Sequence, residues 1–454
     1  HAGALQLLPG AVGETSDGCA LEPPCATDGD NARRVVGEGD VEASRGRKHN
    51  CRRRHRAVTR PAGELVAQVS LITGCCAELM VRHLLFGCSK SRVAPDHDNL
   101  LTNQHIDQTA DGAIIPGRDA KKYLAERAHG IESQLARHLF WPYLLGVDAW
   151  DTSSAQRERS RAQRLLRFEE LVQRSVYSVQ KSDATVIDGD VPRTDRDLPR
   201  WKDEAALGPI RTLLMAHCAH EAATVRGYCQ GMNDVAAVVL DAWLPTDHPK
   251  SPPSVATLSE AFWLFEGILD RTAADWGAGD EFAGVWRQTR CVAAVVSAAS
   301  AKLGAHLRRI DETRGAELAR DQPLACLFGC VLLRLKREMV SYEETRRLWE
   351  ASWANHDSSR HGRHFHLVLL AALVLSQRKA LLRLPATTSG FAEMHRLFMQ
   401  LASTQRAAPL LDKARALKRG NRGVGDALDA YAKGLPQERA ETAVGAAPAT
   451  AWDA

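Results

Sequence analysis

The chain has 454 residues, 44% apolar and 25% charged, with a formal net charge of +4; these are ordinary values for a soluble globular protein, and the charge names no partner. Its eleven cysteines are scattered and odd in number, Cys75 and Cys76 are adjacent, and no CxxC pair occurs, which excludes a disulfide scaffold or a CxxC zinc site and suggests reduced thiols in a cytoplasmic protein. The length suits two or three domains, or one large helical domain with appendages.

Residues 1–60 are rich in Gly, Ala and charge without sustained periodicity, so a disordered or loosely ordered region is expected. Within them Arg45, Arg47, Lys48, Arg52, Arg53, Arg54 and Arg56 form a basic cluster. A solvated flexible segment accounts for it more simply than an anionic lipid, nucleic-acid or import-receptor contact, and no aromatics are interleaved as base-stacking platforms. Residues 63–88 are mostly apolar and suit a helix or two buried segments.

From about residue 105 to 420 the pattern is helical, and alternating strand patterns are nearly absent. Asp151 to Ser154 offer an N-cap for a long amphipathic helix from Gln156 to about Lys181. Further helices are expected near 203–220, 231–243, 257–272, 279–306, 322–338, 341–354, 364–379, 390–404 and 408–418. The longest clean apolar run, Leu367 to Leu375, falls well short of the roughly 20 residues that span a bilayer. The reading is therefore all-α: an N-terminal region over 1–104, a helical domain over 105–420 and a flexible tail over 421–454.

No P-loop, HExxH or GxSxG pattern occurs, which points to a binding module or to a protein acting on another protein's active site. His217 and His220 share a predicted helix but lack a third ligand at helix spacing. Two segments break the helical pattern with polar residues. In the first, from Ile187 to Arg196, Gly189 and Pro192 are expected to stop a helix and form a rigid loop. Asp190 there stands three positions before Arg193, where a carboxylate can orient a guanidinium. In the second, Gly227 and Gly231 flank Tyr228, Cys229 and Gln230, ahead of an apolar helix. Taken singly, the first suits a surface ion pair and the second a turn.

Their order and their separation of 37 positions resemble the two loops of the TBC-domain Rab GTPase-activating proteins. Ile187, Asp190 and Arg193 fill the pattern Ile-x-x-Asp-x-x-Arg, and Tyr228 and Gln230 fill Tyr-x-Gln. Asp111 to Ile114, His129 to Ile131, Phe140 to Gly146, Trp150 to Ser153, Leu335 to Glu338 and Leu348 to Glu350 are similar to further family segments, in order. The chain departs from the family at Phe328-Gly329-Cys330 and in apparent insertions near 245–253 and 356–364.

The resemblance implies an all-α TBC domain that completes the active site of a GTP-loaded Rab rather than hydrolysing GTP alone. Arg193 would reach the phosphates and Gln230 would hold the attacking water. Asp190 would orient Arg193, and Tyr228 would brace the loop or touch the GTPase. Ile187 and Asp234 would be structural. GTP and Mg²⁺ would come with the Rab, leaving no cofactor or metal of this chain's own, and no nucleic acid is expected. A cytoplasmic protein, peripheral on endomembranes at most, would follow. A catalytically silent TBC-fold scaffold that binds a Rab is the alternative.

Overall fold

The computed structural model describes residues 100–434 except 102–105, 109–113, 117, 226, 245–251, 277–281, 357 and 359. The basic cluster at 45–56, the apolar stretch 63–88 and the Asp111–Ala113 match lie outside the described residues, as does most of the 245–253 loop.

The chain enters through a small antiparallel hairpin, β1 (Ile106–Gln108) and β2 (Ile114–Pro116), with Asp107 opposite Ile115. Helices follow as α1 (Arg118–Glu126), α2 (Gln134–Leu144), α3 (Ser154–Ser178) and α4 (Lys181–Asp190). Then come α5 (Gly208–Ala219), α6 (Met232–Trp243), α7 (Val255–Arg271), α8 (Ala283–Ala299) and α9 (Ala301–Glu312). The remainder are α10 (Ala316–Asp321), α11 (Phe328–Leu332), α12 (Tyr342–Asn355), α13 (Phe365–Ser376), α14 (Arg378–Leu381), α15 (Thr388–Met399), α16 (Ala407–Gly420) and α17 (Arg422–Lys433). Among the described residues no helix is long and apolar enough to cross a membrane.

Local chemistry starts several of these helices. Ser153 closes a capping box with Gln156 at the head of α3, satisfying two of the backbone donors that a helix start leaves open. Ser254, Ser341 and Thr387 cap α7, α12 and α15 in the simpler way, each accepting from a first-turn N–H.

Packing then selects the arrangement. Every residue of α13 from Leu367 to Val374 is buried, so this apolar helix is wrapped on all sides, including by α8 and α16. α6 is buried from Met232 to Leu240 and packs on α5 and α7. Each fully buried Leu, Val or Ile contributes about 1.5–3 kcal/mol of transfer free energy. One buried polar knot ties α2 to α12, more than 200 positions apart in sequence. The Arg137 guanidinium on α2 donates to Glu350 Oε1 at 2.6 Å and to Glu343 at 2.6 and 2.9 Å, both on α12. Glu350 also accepts from Trp141 Nε1 and the Ile131 N–H.

Several expectations need correction. The helical pattern begins at α1, after the hairpin, rather than at 105. The helix expected over 279–306 is two, because the chain turns at Ser300, whose side chain caps α9. The helix expected over 322–338 is reduced to α11, followed by turns in which Arg334 and Leu335 take φ of 49° and 64°. Gly189 does not stop its helix, since α4 runs on to Asp190. The tail expected to be flexible from 421 begins with α17, capped by Asn421 and lying against α8. Its stripe of Val424, Leu428 and Tyr431 packs into the core, and that burial outweighs the helix-weakening Gly423 and Gly425.

Candidate functional site

The arginine segment is built by a change of helix type. α4 ends at Asp190 and tightens into a 3-10 turn, Val191–Arg193. Pro192 sits in its first positions, where a missing N–H costs nothing and the fixed φ helps. The Ile187 side chain is fully buried and anchors α4 in the core. Arg193 is thereby pushed outward, its side chain 57% exposed, while the Asp190 carboxylate behind it is 3% exposed and accepts a hydrogen bond from Arg193 Nη2.

The glutamine segment enters α6 through glycines that turn where side chains are disfavoured. Gly227 has φ +73° and Gly231, the N-cap of α6, has φ +108°. A Cβ at Gly231 would also press against Leu333 at 3.0 Å. This sharp turn leaves Gln230 exposed, and its amide makes no hydrogen bond among the described residues.

A shared set of buried groups joins the two segments. The Tyr228 hydroxyl donates to Asp190 Oδ2 at 2.7 Å and lies 3.1 Å from Asn233 Oδ1. Asn233 Oδ1 accepts from the Gly231 N–H at 3.2 Å, and Asn233 Nδ2 donates to Thr194 Oγ1 at 2.8 Å. Thr194 in turn donates to the Asp190 carbonyl at 3.0 Å. Asp190, Thr194, Tyr228 and Asn233 thus link the backbone that carries Arg193 to the backbone that carries Gln230.

Burial and the Asp190 carboxylate push the Tyr228 phenol well above its ordinary value, so it remains a hydrogen-bond donor. Burial and the same carboxylate push the Cys229 thiol up to about 11, which removes it as a nucleophile at neutral pH. Asp234 sits deeper. Burial works to raise its pKa, but the Lys336 and Arg337 cations prevail and hold it at about 2.

Asp190, Arg193, Tyr228 and Gln230 therefore come together, Ile187 is a core anchor, and Asp234 belongs to an ion-pair network beneath α6. Sequence reasoning missed Thr194, Asn233 and Lys336. A signal existed for Asn233, an amide beside Asp234 in the first turn of a largely apolar helix; Lys336 stands among Arg334, Arg337 and Glu338, and nothing local singles it out. His217 and His220 both turn their Nδ1 toward Glu266, at 2.6 and 3.3 Å, as a buried polar cluster. Among the described residues no group of three His, Cys, Asp or Glu side chains could hold a metal ion. The site thus presents an oriented cation and an exposed amide on one surface.

The Rab-GTPase-TBC domain model matches residues 134–382, more than half of the chain and both segments. Rab GTPase-activating protein 22 from Arabidopsis thaliana is 29% identical over 136 residues, 30% of this chain and 20% of that protein. TBC1 domain family member 16 from Homo sapiens is 26% identical over 248 residues, 52% of this chain and 28% of that protein. The chain thus spans less than a third of the length of either curated relative. The solved Ypt/Rab-GAP domain of Gyp1p superposes with a TM-score of 0.50 at 16% identity, covering 67% of this chain and 99% of that domain; this likeness speaks for the fold. With the family model spanning both segments and the fold in agreement, the chain belongs to the Rab-GTPase-TBC domain family.

Proposed function

We propose that this chain stimulates GTP hydrolysis by a Rab-type small GTPase, supplying Arg193 and Gln230 to the GTPase active site. Phosphoryl transfer to water lacks two things in a slow GTPase: positive charge at the γ-phosphate oxygens and a group that holds water in line. A guanidinium donates to phosphate oxygens through its planar fork. A carboxamide both accepts from and donates to a water. In this reading Arg193 supplies the charge, Asp190 aims it, Tyr228 braces Asp190, and Gln230 positions the water. GTP and Mg²⁺ come with the Rab. An arginine provided in trans contributes about 10³–10⁵ in rate.

The observation that carries the reading is the pairing of an exposed Arg193 and an exposed Gln230 on one hydrogen-bonded frame. The Arabidopsis relative named as a Rab GTPase-activating protein supports the choice of partner. We take the domain to run on through α17, because that helix packs on α8.

The test is a hydrolysis screen of the full chain against a panel of GTP-loaded Rabs, with Arg193→Ala as control. Stimulation of at least one Rab that the control loses is the expected result. Binding to a Rab without stimulation would leave the silent scaffold as the better reading.

A further inference from the structure

The segment after α11 contains a lysine that the proposed mechanism leaves unused. Lys336 is 5% exposed, yet it carries its charge into the core. Its ammonium donates to Asp195 Oδ2 and to Asp234 Oδ1. Asp195 stands two positions after Arg193, and Asp234 stands four positions after Gln230. The Tyr342 hydroxyl donates to the same Asp195 oxygen, and Arg337 Nη2 donates to the other Asp234 oxygen at 3.1 Å.

A buried lysine is commonly one half of a structural ion pair, and two features set this one apart. First, it takes one carboxylate from each segment of the site. A compact ammonium with three rotatable donors can meet two carboxylates arriving from different directions. Second, the backbone is bent out of its usual range on both sides of the bridge. Arg334 and Leu335 take φ of 49° and 64° just before Lys336, and Asp195 takes φ of 44°. Such conformations persist where surrounding contacts over-determine them, and they cluster at functional sites.

We infer that Lys336 is a positioning residue: it sets the arginine segment against the glutamine helix, acting on Arg193 through Asp195 and on Gln230 through Asp234. The inference rests on the reading of Arg193 and Gln230 as groups supplied to a Rab.

The test uses the full chain and a GTP-loaded Rab that the wild type stimulates, with kcat and KM measured separately. Asp195→Asn removes the carboxylate charge from the arginine side of the bridge alone, weakening its hold on the Lys336 ammonium. Asparagine keeps the shape and tolerates the left-handed backbone. Its kcat should fall about tenfold with KM within about twofold, the pattern of an interaction made in the transition state. In an Arg193→Ala background the same substitution should have no further effect, whereas in a Gln230→Ala background it should keep its full effect.

Lys336→Met cuts both sides and should lower kcat by more than Asp195→Asn alone. If that variant does not fold, the Asp195→Asn cycle decides. Full additivity of Asp195→Asn with Arg193→Ala, or an unchanged kcat in folded Asp195→Asn, overturns the inference and leaves Lys336 a structural ion pair. A wild type that stimulates no Rab, or an Arg193→Ala variant as active as wild type, instead removes the underlying reading and this inference with it.

Discussion

The Asp190→Asn substitution tests the orientation of the arginine with little change of shape. The Asp190 side chain is 3% exposed and accepts from two donors, the Arg193 guanidinium and the Tyr228 hydroxyl at 2.7 Å. An amide has one oxygen to offer, so one of these donors must face an NH₂ group. A hydrogen bond to a charged group is worth about 1.5–3 kcal/mol. Arg193 is more than half exposed, and water competes for it, so the value is discounted to the bottom of that range and just below it, ~1–1.5 kcal/mol. At ~1.4 kcal/mol per factor of ten, that predicts a fall in kcat of about five- to twelvefold. The assay is Rab-GTP hydrolysis at saturating activator, with KM and Rab affinity measured alongside. An unchanged kcat in a folded variant refutes the reasoning, and so does a loss confined to KM, because an aimed guanidinium acts in the transition state.

Arg193→Lys and Gln230→Ala should each lose most of the stimulation while Rab binding persists, since a lysine keeps the charge but not the fork; pull-down affinity beside hydrolysis rates checks this, and full activity in both variants would end the mechanism. Glu350→Ala leaves the 4%-exposed Arg137 side chain without a partner on one side. Breaking a buried pair in this way costs about 3–5 kcal/mol, readable as a lower urea midpoint at unchanged slope. His217 gives a pH signature. Burial works to lower its pKa, but the Glu266 carboxylate prevails and holds it above the ordinary 6.5. Its contribution is therefore complete below 6.5 and lost as pH rises through the raised value. Glu266 itself is held at about 2, so its own titration leaves the neutral range untouched. The thermal-midpoint gap between wild type and Glu266→Gln should narrow from pH 6 to pH 9, and a pH-independent gap contradicts the assignment.

Much of this architecture could be read from local pattern. The apolar run at Leu367–Leu375 announced the buried helix α13, and Ser153 with Gln156 announced the start of α3. The pairing of Asp190 with Arg193 was legible because three residues separate them on one tightening turn. What escaped is non-local. In sequence Lys336 reads as part of a solvated face or of a core-edge ion pair, and its partners appear only when the fold brings Asp195 and Asp234 to it from 141 and 102 positions away. The left-handed turns at Arg334 and Leu335 have no glycine to mark them. The Ser300 break is hidden because the apolar and small residues continue through it. α17 was missed because its glycines masked a stripe that has meaning only against α8.

The tether between Arg193 and Asp190 has a consequence for the timing of entropy loss. An arginine side chain gives up roughly 2 kcal/mol of rotamer freedom when it is fixed. Here part of that ordering is completed as the chain folds, since the carboxylate that holds the guanidinium lies in the same molecule and is already desolvated. A partner docking against this surface meets a limb already raised, and less of its binding energy is consumed in arranging one.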